Sequence, residues 1–408
     1  MTLTIEQAPE SETLKSTRQP VQVGLEVLLQ DVPQIMRGKR VGLICNQSSV
    51  NHAFEHAADL LHRHSGFKLT ALFGPQHGIR GDVQDNMIET EHGVDRSTGL
   101  PVHSLYSETR EPTKEMLDDV DVLVFDMQDV GCRIYTFVYT LANCMRIAGQ
   151  LGKPVVVCDR PNPINGVDMS GNILDPEFAS FVGLFPLPTR HGMTVGELAQ
   201  MFCGEFGIQC DLHVVSMVGW KREHWLDDTD APWVMPSPNM PTLDSATVFP
   251  GTVHFEGTQL SEGRGTTKPF ELIGAPYIDP EAYAETLTAL ALRGVIFRSC
   301  VFQPTFQKHA KVSCGGVQIH VVDRKRFDSV LTGVAMVKVA YEMYPQEFRW
   351  KEDPYEYVFD KNPFDVISGT DKIRKAIEQG TTLDAIRQGW QAPLAEFGKM
   401  RTHYLLYG

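Results

Sequence analysis

Residues 120–133 read Val-Asp-Val-Leu-Val-Phe-Asp-Met-Gln-Asp-Val-Gly-Cys-Arg (VDVLVFDMQDVGCR). The first six are apolar except for Asp121, three of them β-branched valines, and a polar turn bounds them, so they predict a buried strand rather than a helix. The character then switches within one residue, and the next eight positions carry Asp126, Gln128, Asp129 and Arg133.

The same switch occurs three more times. Arg40 to Cys45 (RVGLIC) runs into Asn46-Gln47-Ser48-Ser49, and Leu69 to Phe73 (LTALF) runs into Gly74-Pro75-Gln76-His77-Gly78-Ile79-Arg80. Pro154 to Cys158 (PVVVC) runs into Asp159-Arg160-Pro161-Asn162-Pro163. Helical patterns at 51–64, 113–117 and 135–151 separate these runs. Apolar strands alternating with helices predict an α/β fold with a parallel sheet covered on both faces. All four polar clusters then stand at the carboxyl ends of strands, the edge where such sheets bind ligands.

Further along, Thr194 and Glu197 form a capping box for a helix that ends at Gly207, and a strand follows at 211–217. The stretch 232–276 is rich in Pro, Gly, Ser and Thr and reads as a long functional or flexible loop. A helix at 280–292, strands at 295–302 and 316–322, and a helix at 327–343 predict a second, smaller α+β domain. The expected organisation is a disordered tail at 1–20, an α/β domain at 21–276 and the smaller domain at 277–408.

The chain has 408 residues, 42% hydrophobic and 22% charged, which fits two globular domains and argues against disordered, solenoid and coiled-coil architectures. Its formal charge of −14 repels polyanions at long range, so neither nucleic acid nor an anionic membrane is an expected partner. A local pocket of arginines for one small anion remains compatible with that field. No apolar run is long enough to span a bilayer, and the polar start MTLTIEQAPESETLKSTRQP has no signal-like core, so no membrane insertion and a cytoplasmic location are expected. The eight cysteines are scattered without a CxxC and read as reduced, structural thiols.

Neither GxGxxG after the first strand nor a P-loop occurs, and Gly263 to Lys268 (GRGTTK) matches a phosphate loop only loosely. Without HExxH or close His/Cys groupings, no metal or other cofactor is expected; Asp126, Asp129 and Asp159 form the set that a hard cation such as Mg²⁺ would use. A GxSxG elbow is absent too. A pocket of carboxylates, amides, Arg, His and aromatics suits a polyhydroxylated sugar. Glycosidic hydrolysis needs paired carboxyl groups, and the loop carboxylates are Glu89, Glu91, Asp129, Glu256 and Glu262.

The blocks GPQHGIRGDVQDNMIE (74–89), FDMQDVGCRIYTF (125–137), DRPNPI (159–164), TRHGMTVGELA (189–199), PSPNMPT (236–242) and FEGTQLSEGRGTTKPFE (255–271) resemble, in order, the exo-β-N-acetylmuramidase (NamZ) family of peptidoglycan glycoside hydrolases. The resemblance implies a Rossmann-like catalytic domain at 21–276, a smaller domain closing the cleft, and release of N-acetylmuramic acid from non-reducing ends without a cofactor. Many relatives carry PEHG, with a glutamate proposed to be catalytic, where this chain has Gln76. An amide cannot act as general acid or base, so the proton is expected to move through another carboxylate: Glu262, Glu256, Glu89 or Asp129.

The sugar site implied by the resemblance comprises Gln76, His77, Arg80, Gln128, Arg133, Tyr135, Asn162, His191, Asn239 and Arg264. One arginine among Arg80, Arg133 and Arg264 is expected to clamp the lactyl carboxylate of muramic acid. Tyr135 and Trp233 offer rings for stacking, while Asp159, Arg160 and Asn162 read chiefly as loop-holding residues. Two other readings stand beside this one: a non-catalytic sugar-binding protein, and a metal-assisted phosphoester hydrolase using Asp126, Asp129 and Asp159.

Overall fold

The computed structural model describes residues 18–84 and 87–408, so the expected tail lies outside it except for its last three positions. Gln19 is already tied to the body of the protein, donating to Asp228 O at 2.8 Å and accepting from Asp230 N at 3.1 Å.

Strand β1 (Arg40–Cys45) runs parallel to β2 (Lys68–Gly74) on one side and to β5 (Val122–Asp126) on the other. Beyond β2 lie β4 (Pro101–Ser104), parallel, and the short antiparallel edge β3 (Gly93–Val94); beyond β5 lie β6 (Val155–Cys158) and β9 (Leu212–Val215). The order β3-β4-β2-β1-β5-β6-β9 makes seven strands among the described residues, with the direction of winding reversing at β1. Successive side chains feed different cores: Leu123 and Phe125 enter one hydrophobic cluster, Val122 and Val124 another. Burial of both faces explains why these runs are continuously apolar rather than alternating.

The expected strands at 40–45, 69–73, 120–125, 154–158 and 211–217 are all present, with small shifts at their ends. At 120–121 the chain is still turning: Asp121 N donates to Arg40 O at 2.7 Å and the Asp121 carboxylate takes Arg40 Nη2 at 2.8 Å. The helix expected at 51–64 shortens to α2 (Ala57–Arg63), following α1 (Gly24–Gln30). The Asn51 side chain accepts from Glu55 N at 2.9 Å, closing a local turn that competes with the helix. The helix expected at 113–117 is a single 3-10 turn, Glu115–Leu117. Helices α3 (Phe137–Gln150) and α4 (Val195–Gly204) flank β7 (Ser170–Ile173) and β8 (Pro188–Arg190), an antiparallel pair the sequence reading did not include.

The stretch 232–276 is not one loop. It contains α5 (Leu243–Thr252), a 3-10 turn at Val253–Gly257, and β10 (Leu272–Ala275). Pro250 and Gly251 depress its local helix propensity, so tertiary packing must hold α5 together. Its partner is α7 (Ser329–Met343), which also packs on α6 (Pro280–Ala289); α6 in turn lies on the antiparallel sheet β10-β12-β11 formed with β11 (Val295–Phe302) and β12 (Cys314–Val321). Helices α8 (Pro363–Ser368), α9 (Lys372–Glu378) and α10 (Leu383–Arg401) complete this part. The chain then returns to the large sheet, where Tyr407 OH donates to Asp159 Oδ2 at 2.6 Å and Leu406 N to Glu197 Oε1 at 2.9 Å. Among the described residues no helix is long and apolar enough to cross a membrane.

Candidate functional site

Parallel register places Cys45 opposite Asp126 and Ile44 opposite Phe73, so the loops after β1, β2 and β5 leave the sheet at one edge. The innermost residues there bind one another. Asp126 takes Arg160 in a two-pronged pair, Nε to Oδ1 at 2.6 Å and Nη2 to Oδ2 at 2.8 Å. Asp159 accepts from Thr194 Oγ1 at 2.7 Å and Gly196 N at 2.8 Å in addition to Tyr407. Gln128 Nε2 donates to Asp129 O at 2.7 Å and Pro161 O at 2.8 Å, and Asn162 Nδ2 donates to Met193 O at 2.9 Å. Asp129 Oδ2 accepts from Gly131 N at 2.7 Å and lies 3.4 Å from Nε2 of the fully buried His191.

These six residues from the ends of β5 and β6 are thus occupied in holding the loops, and Gln128, Asp129, Asn162 and His191 do not line the cleft described below. The same bonds occupy both carboxylate oxygens of Asp126 and of Asp159, and Oδ2 of Asp129; among the described residues no group of three or more His, Cys, Asp or Glu is arranged to hold a metal ion.

The cleft opens above this layer. The loop after β2 contributes Gln76 and His77, and the loop after β5 contributes Tyr135 and Thr136. Ser237, Asn239, Glu256 and Arg264 come from the 232–276 stretch, and Tyr355 and Glu356 from the segment after α7. Phe249 and Phe270 form an apolar wall, with the Tyr135 ring edge-on to Phe249 at 5.8 Å. Of the residues expected from sequence, Gln76, His77, Tyr135, Asn239, Glu256 and Arg264 therefore meet in one place.

The others do not. Arg133 is fully buried away from the cleft, and its Nη2 donates to Ser368 O at 2.9 Å and Ile367 O at 3.3 Å. Those are the last carbonyls of α8, which a cation satisfies in both hydrogen bonding and dipole. Arg80 is half exposed beside Asp95 at 3.7 Å. Glu89 is also at the surface, accepting from Tyr357 OH at 3.2 Å. Glu262 is buried against Lys308 at 2.8 Å and Arg264 at 3.3 Å, on the far side of this ion-pair chain from Glu256.

Charge in the cleft is unevenly distributed. Glu256 Oε1 accepts from Arg264 Nη2 at 2.6 Å and Oε2 from Tyr355 OH at 2.5 Å. Burial pushes this carboxyl upward, but the Arg264 guanidinium, the Tyr355 hydroxyl and the Lys308 charge outweigh it and hold the group below its usual range. His77 is lowered to about 4 by burial, with the Arg264 charge acting in the same direction against a bond to Val83. The ring is neutral at pH 7; its Nδ1 lies 2.7 Å from Val83 O and so carries the proton, leaving Nε2 as an acceptor.

Glu356 was not anticipated from sequence. It is 4% exposed, its Oε1 accepts from Gln76 Nε2 at 3.1 Å, and its Oε2 accepts from Tyr106 OH at 2.8 Å. Burial raises its carboxyl above the ordinary value, the Tyr106 and Gln76 bonds only partly counter this, and the Glu256 charge adds to it. Thr136 Oγ1 donates to Gln76 Oε1 at 2.9 Å and so fixes which end of the amide faces Glu356. Glu356 lies 280 positions from Gln76 and outside every motif block; its signal was a glutamate between two tyrosines in 354–357 (PYEY).

Comparison with known proteins gives a consistent result. The family model for the N-terminal part of exo-β-N-acetylmuramidase NamZ matches residues 41–244, and the model for its C-terminal part matches 247–407. The peptidoglycan β-N-acetylmuramidase NamZ of Bacillus subtilis (strain 168) is 48% identical over 400 residues, covering 98% of this chain and 94% of its own. Two crystal structures of DUF1343 family proteins from Bacteroides fragilis NCTC 9343 are also similar. One has a TM-score of 0.86 at 36% identity, covering 96% of this chain and 100% of its own; the other has 0.75 at 28%, covering 95% and 99%.

Proposed function

The chain belongs to the exo-β-N-acetylmuramidase NamZ family, and on that premise we propose that its cleft removes terminal N-acetylmuramic acid from the non-reducing ends of peptidoglycan fragments. It is a glycoside hydrolase acting on a sugar substrate. The observation that carries the assignment to this cleft is the meeting of an ionised carboxylate, Glu256, with Arg264 and a neutral His77 on an aromatic-walled surface. In this reading the larger part, 21–276, supplies most of the sugar site, and 277–408 closes it through Tyr355 and Glu356.

Of the three arginines considered for the lactyl carboxylate, Arg264 is the one lining the cleft, and its buried Nη1 has no hydrogen-bond partner. We assign the clamp to it. His77 Nε2 and the Asn239 amide are placed to bond sugar hydroxyls or the acetamido group, and Tyr135 offers a ring edge. Among the four sequence-derived carboxylates, Glu256 is the reacting candidate because it lines the cleft, while Glu262 holds Arg264 and Lys308. A cytoplasmic role in recycling wall fragments is the location we favour; eight unpaired cysteines suit a reducing compartment.

The test compares release of aryl product from an aryl N-acetyl-β-muramide and from the matching N-acetylglucosaminide, with and without a chelator. Chelator-insensitive cleavage of the muramide alone supports the assignment, and cleavage of neither refutes it. Arg264→Lys keeps a charge but loses the two-pronged geometry, and should lower kcat/KM on the muramide roughly ten- to a hundredfold, as expected for one charged hydrogen bond. An unchanged preference for muramide over glucosaminide would remove Arg264 from the clamp.

A further inference from the structure

We infer that Glu356 is the general acid that protonates the glycosidic oxygen in this cleft, with Glu256 as its ionised partner. The inference rests on the hydrolase reading above and deepens it by naming the group that moves the proton.

Position is the first support. Among the described residues, Glu256 and Glu356 are the carboxyls that line the cleft, and their surroundings differ in kind. Glu256 is bonded to a guanidinium, whereas Glu356 forms no ion pair among the described residues. Its partners are a neutral amide and a neutral phenol. Arg110, whose charge acts on the carboxyl as the weakest of its influences, is not bonded to it and stacks instead over the Tyr106 ring at 4.0 Å and the Tyr357 ring at 4.5 Å.

Orientation is the second. Thr136 fixes Gln76, and Gln76 and Tyr106 each hold one oxygen of Glu356. The carboxyl is thereby locked in one plane by residues from three separate segments. Backbone conformation is the third. Glu356 and Tyr357 have φ of 47° and 63°, and His77, next to Gln76, has φ of 70°. Non-glycine residues in this region are strained, and here the strain falls on both sides of the contact that presents the carboxyl.

Two carboxyls driven in opposite directions divide acid from base. Burial and the Glu256 charge keep Glu356 protonated to higher pH, while Arg264 keeps Glu256 ionised. In the proposed step the C1–O bond breaks, its electron pair stays on the leaving oxygen, and that oxygen takes the Glu356 proton. Water adds to C1 and gives its proton to Glu256; Glu256 then releases that proton to solvent and Glu356 takes one back, so one water is consumed and both carboxyls return to their starting state.

The experiment uses two aryl N-acetyl-β-muramides, one with a phenol leaving group and one with 2,4-dinitrophenol, which departs without protonation. Glu356→Gln should lower kcat/KM on the first substrate by about 10²- to 10⁴-fold, the usual contribution of a general acid, and by less than about tenfold on the second. The basic limb of the pH profile should disappear with it. Tyr106→Phe keeps the carboxyl but removes a bond that favours its ionised form, so its basic limb should move to higher pH while leaving-group dependence persists. Melting temperatures of both variants separate misfolding from chemistry, and if Glu356→Gln does not fold, the Tyr106→Phe profile decides. Equal losses on the two substrates with an unmoved basic limb would reduce Glu356 to a strut and overturn the inference. Wild-type protein cleaving neither substrate would instead overturn the hydrolase reading beneath it.

Discussion

His77 and His254 are both neutral imidazoles whose burial has lowered them to about 4, each with Nδ1 bonded to a backbone carbonyl. The unfolded chain takes up protons on these rings below about pH 6.5, whereas the folded chain does so only near 4. Their stabilisation is therefore complete above pH 6.5 and is lost as pH falls toward 4, at about 3 kcal/mol each. Asp159 acts in the opposite sense. Burial raises it to about 6, so the folded chain holds a proton the unfolded chain has released, and stability from this group grows as pH falls through 6. Between pH 6.5 and 4 the two histidines weaken the fold, and His254→Gln should remove about 3 kcal/mol of the loss measured by urea unfolding across that window. An unaltered slope in the variant would show that His254 is not the titrating group. At this scale the motif blocks that resemble the family contain His77, Gln76, Tyr135, Asn239, Glu256 and Arg264, and these six line one cleft. Arg133 was expected at the cleft and does not line it, and Glu356 lines it without having been expected, for one reason: their partners, Ser368 and Gln76, lie 235 and 280 positions away, where no local pattern reaches.

Local signals carry further for whole elements. The capping box at α4 was readable from Thr194 and Glu197 alone, and in the structure Glu197 N donates to Thr194 Oγ1 at 3.3 Å while Thr194 N donates to Glu197 Oε2 at 3.0 Å. Thr194 also donates to Asp159, so Thr194→Ala removes a cap and a buried acceptor's partner together. A loss of about 2 kcal/mol is expected, with kcat unchanged because the residue does not line the cleft. Helix α5 had no such signature. Its stability comes from a crossing with α7 at which a Cβ on Gly333 would stand 2.1 Å from Gly251 O. No side chain fits between backbones that close, so Gly333→Ala should push α5 outward and cost about 1–3 kcal/mol, or more. Because α5 leads directly into Glu256, this variant should also lose activity on the aryl muramide; full activity with full stability would mean that the two helices tolerate separation.

The two parts of the molecule share a core, which makes their separation on paper a poor guide to how they unfold. One continuous hydrophobic cluster holds Phe125 and Val138 from the first part together with Val334 and Ile367 from the second. The cleft depends on the same union, since Gln76 and His77 come from one side and Tyr355 and Glu356 from the other. The C-terminal residues bind the chain a second time to the large sheet, through Tyr407 on Asp159 and Leu406 on Glu197. A mostly parallel sheet and a smaller antiparallel one were legible from alternating patterns, but their fusion was not, because contact between remote segments leaves no periodicity in either. Fusion of the cores predicts a single cooperative thermal transition whose calorimetric and van't Hoff enthalpies agree. The five tryptophans, Trp220, Trp225 and Trp233 in the first part and Trp350 and Trp390 in the second, should report the same midpoint. Tyr407→Phe should lower that midpoint by the equivalent of about 1–3 kcal/mol without dividing the transition, since it leaves a buried acceptor short of a donor but keeps the shared core. Two resolved transitions, in the wild type or the variant, would show that the parts are held together by their tie points alone.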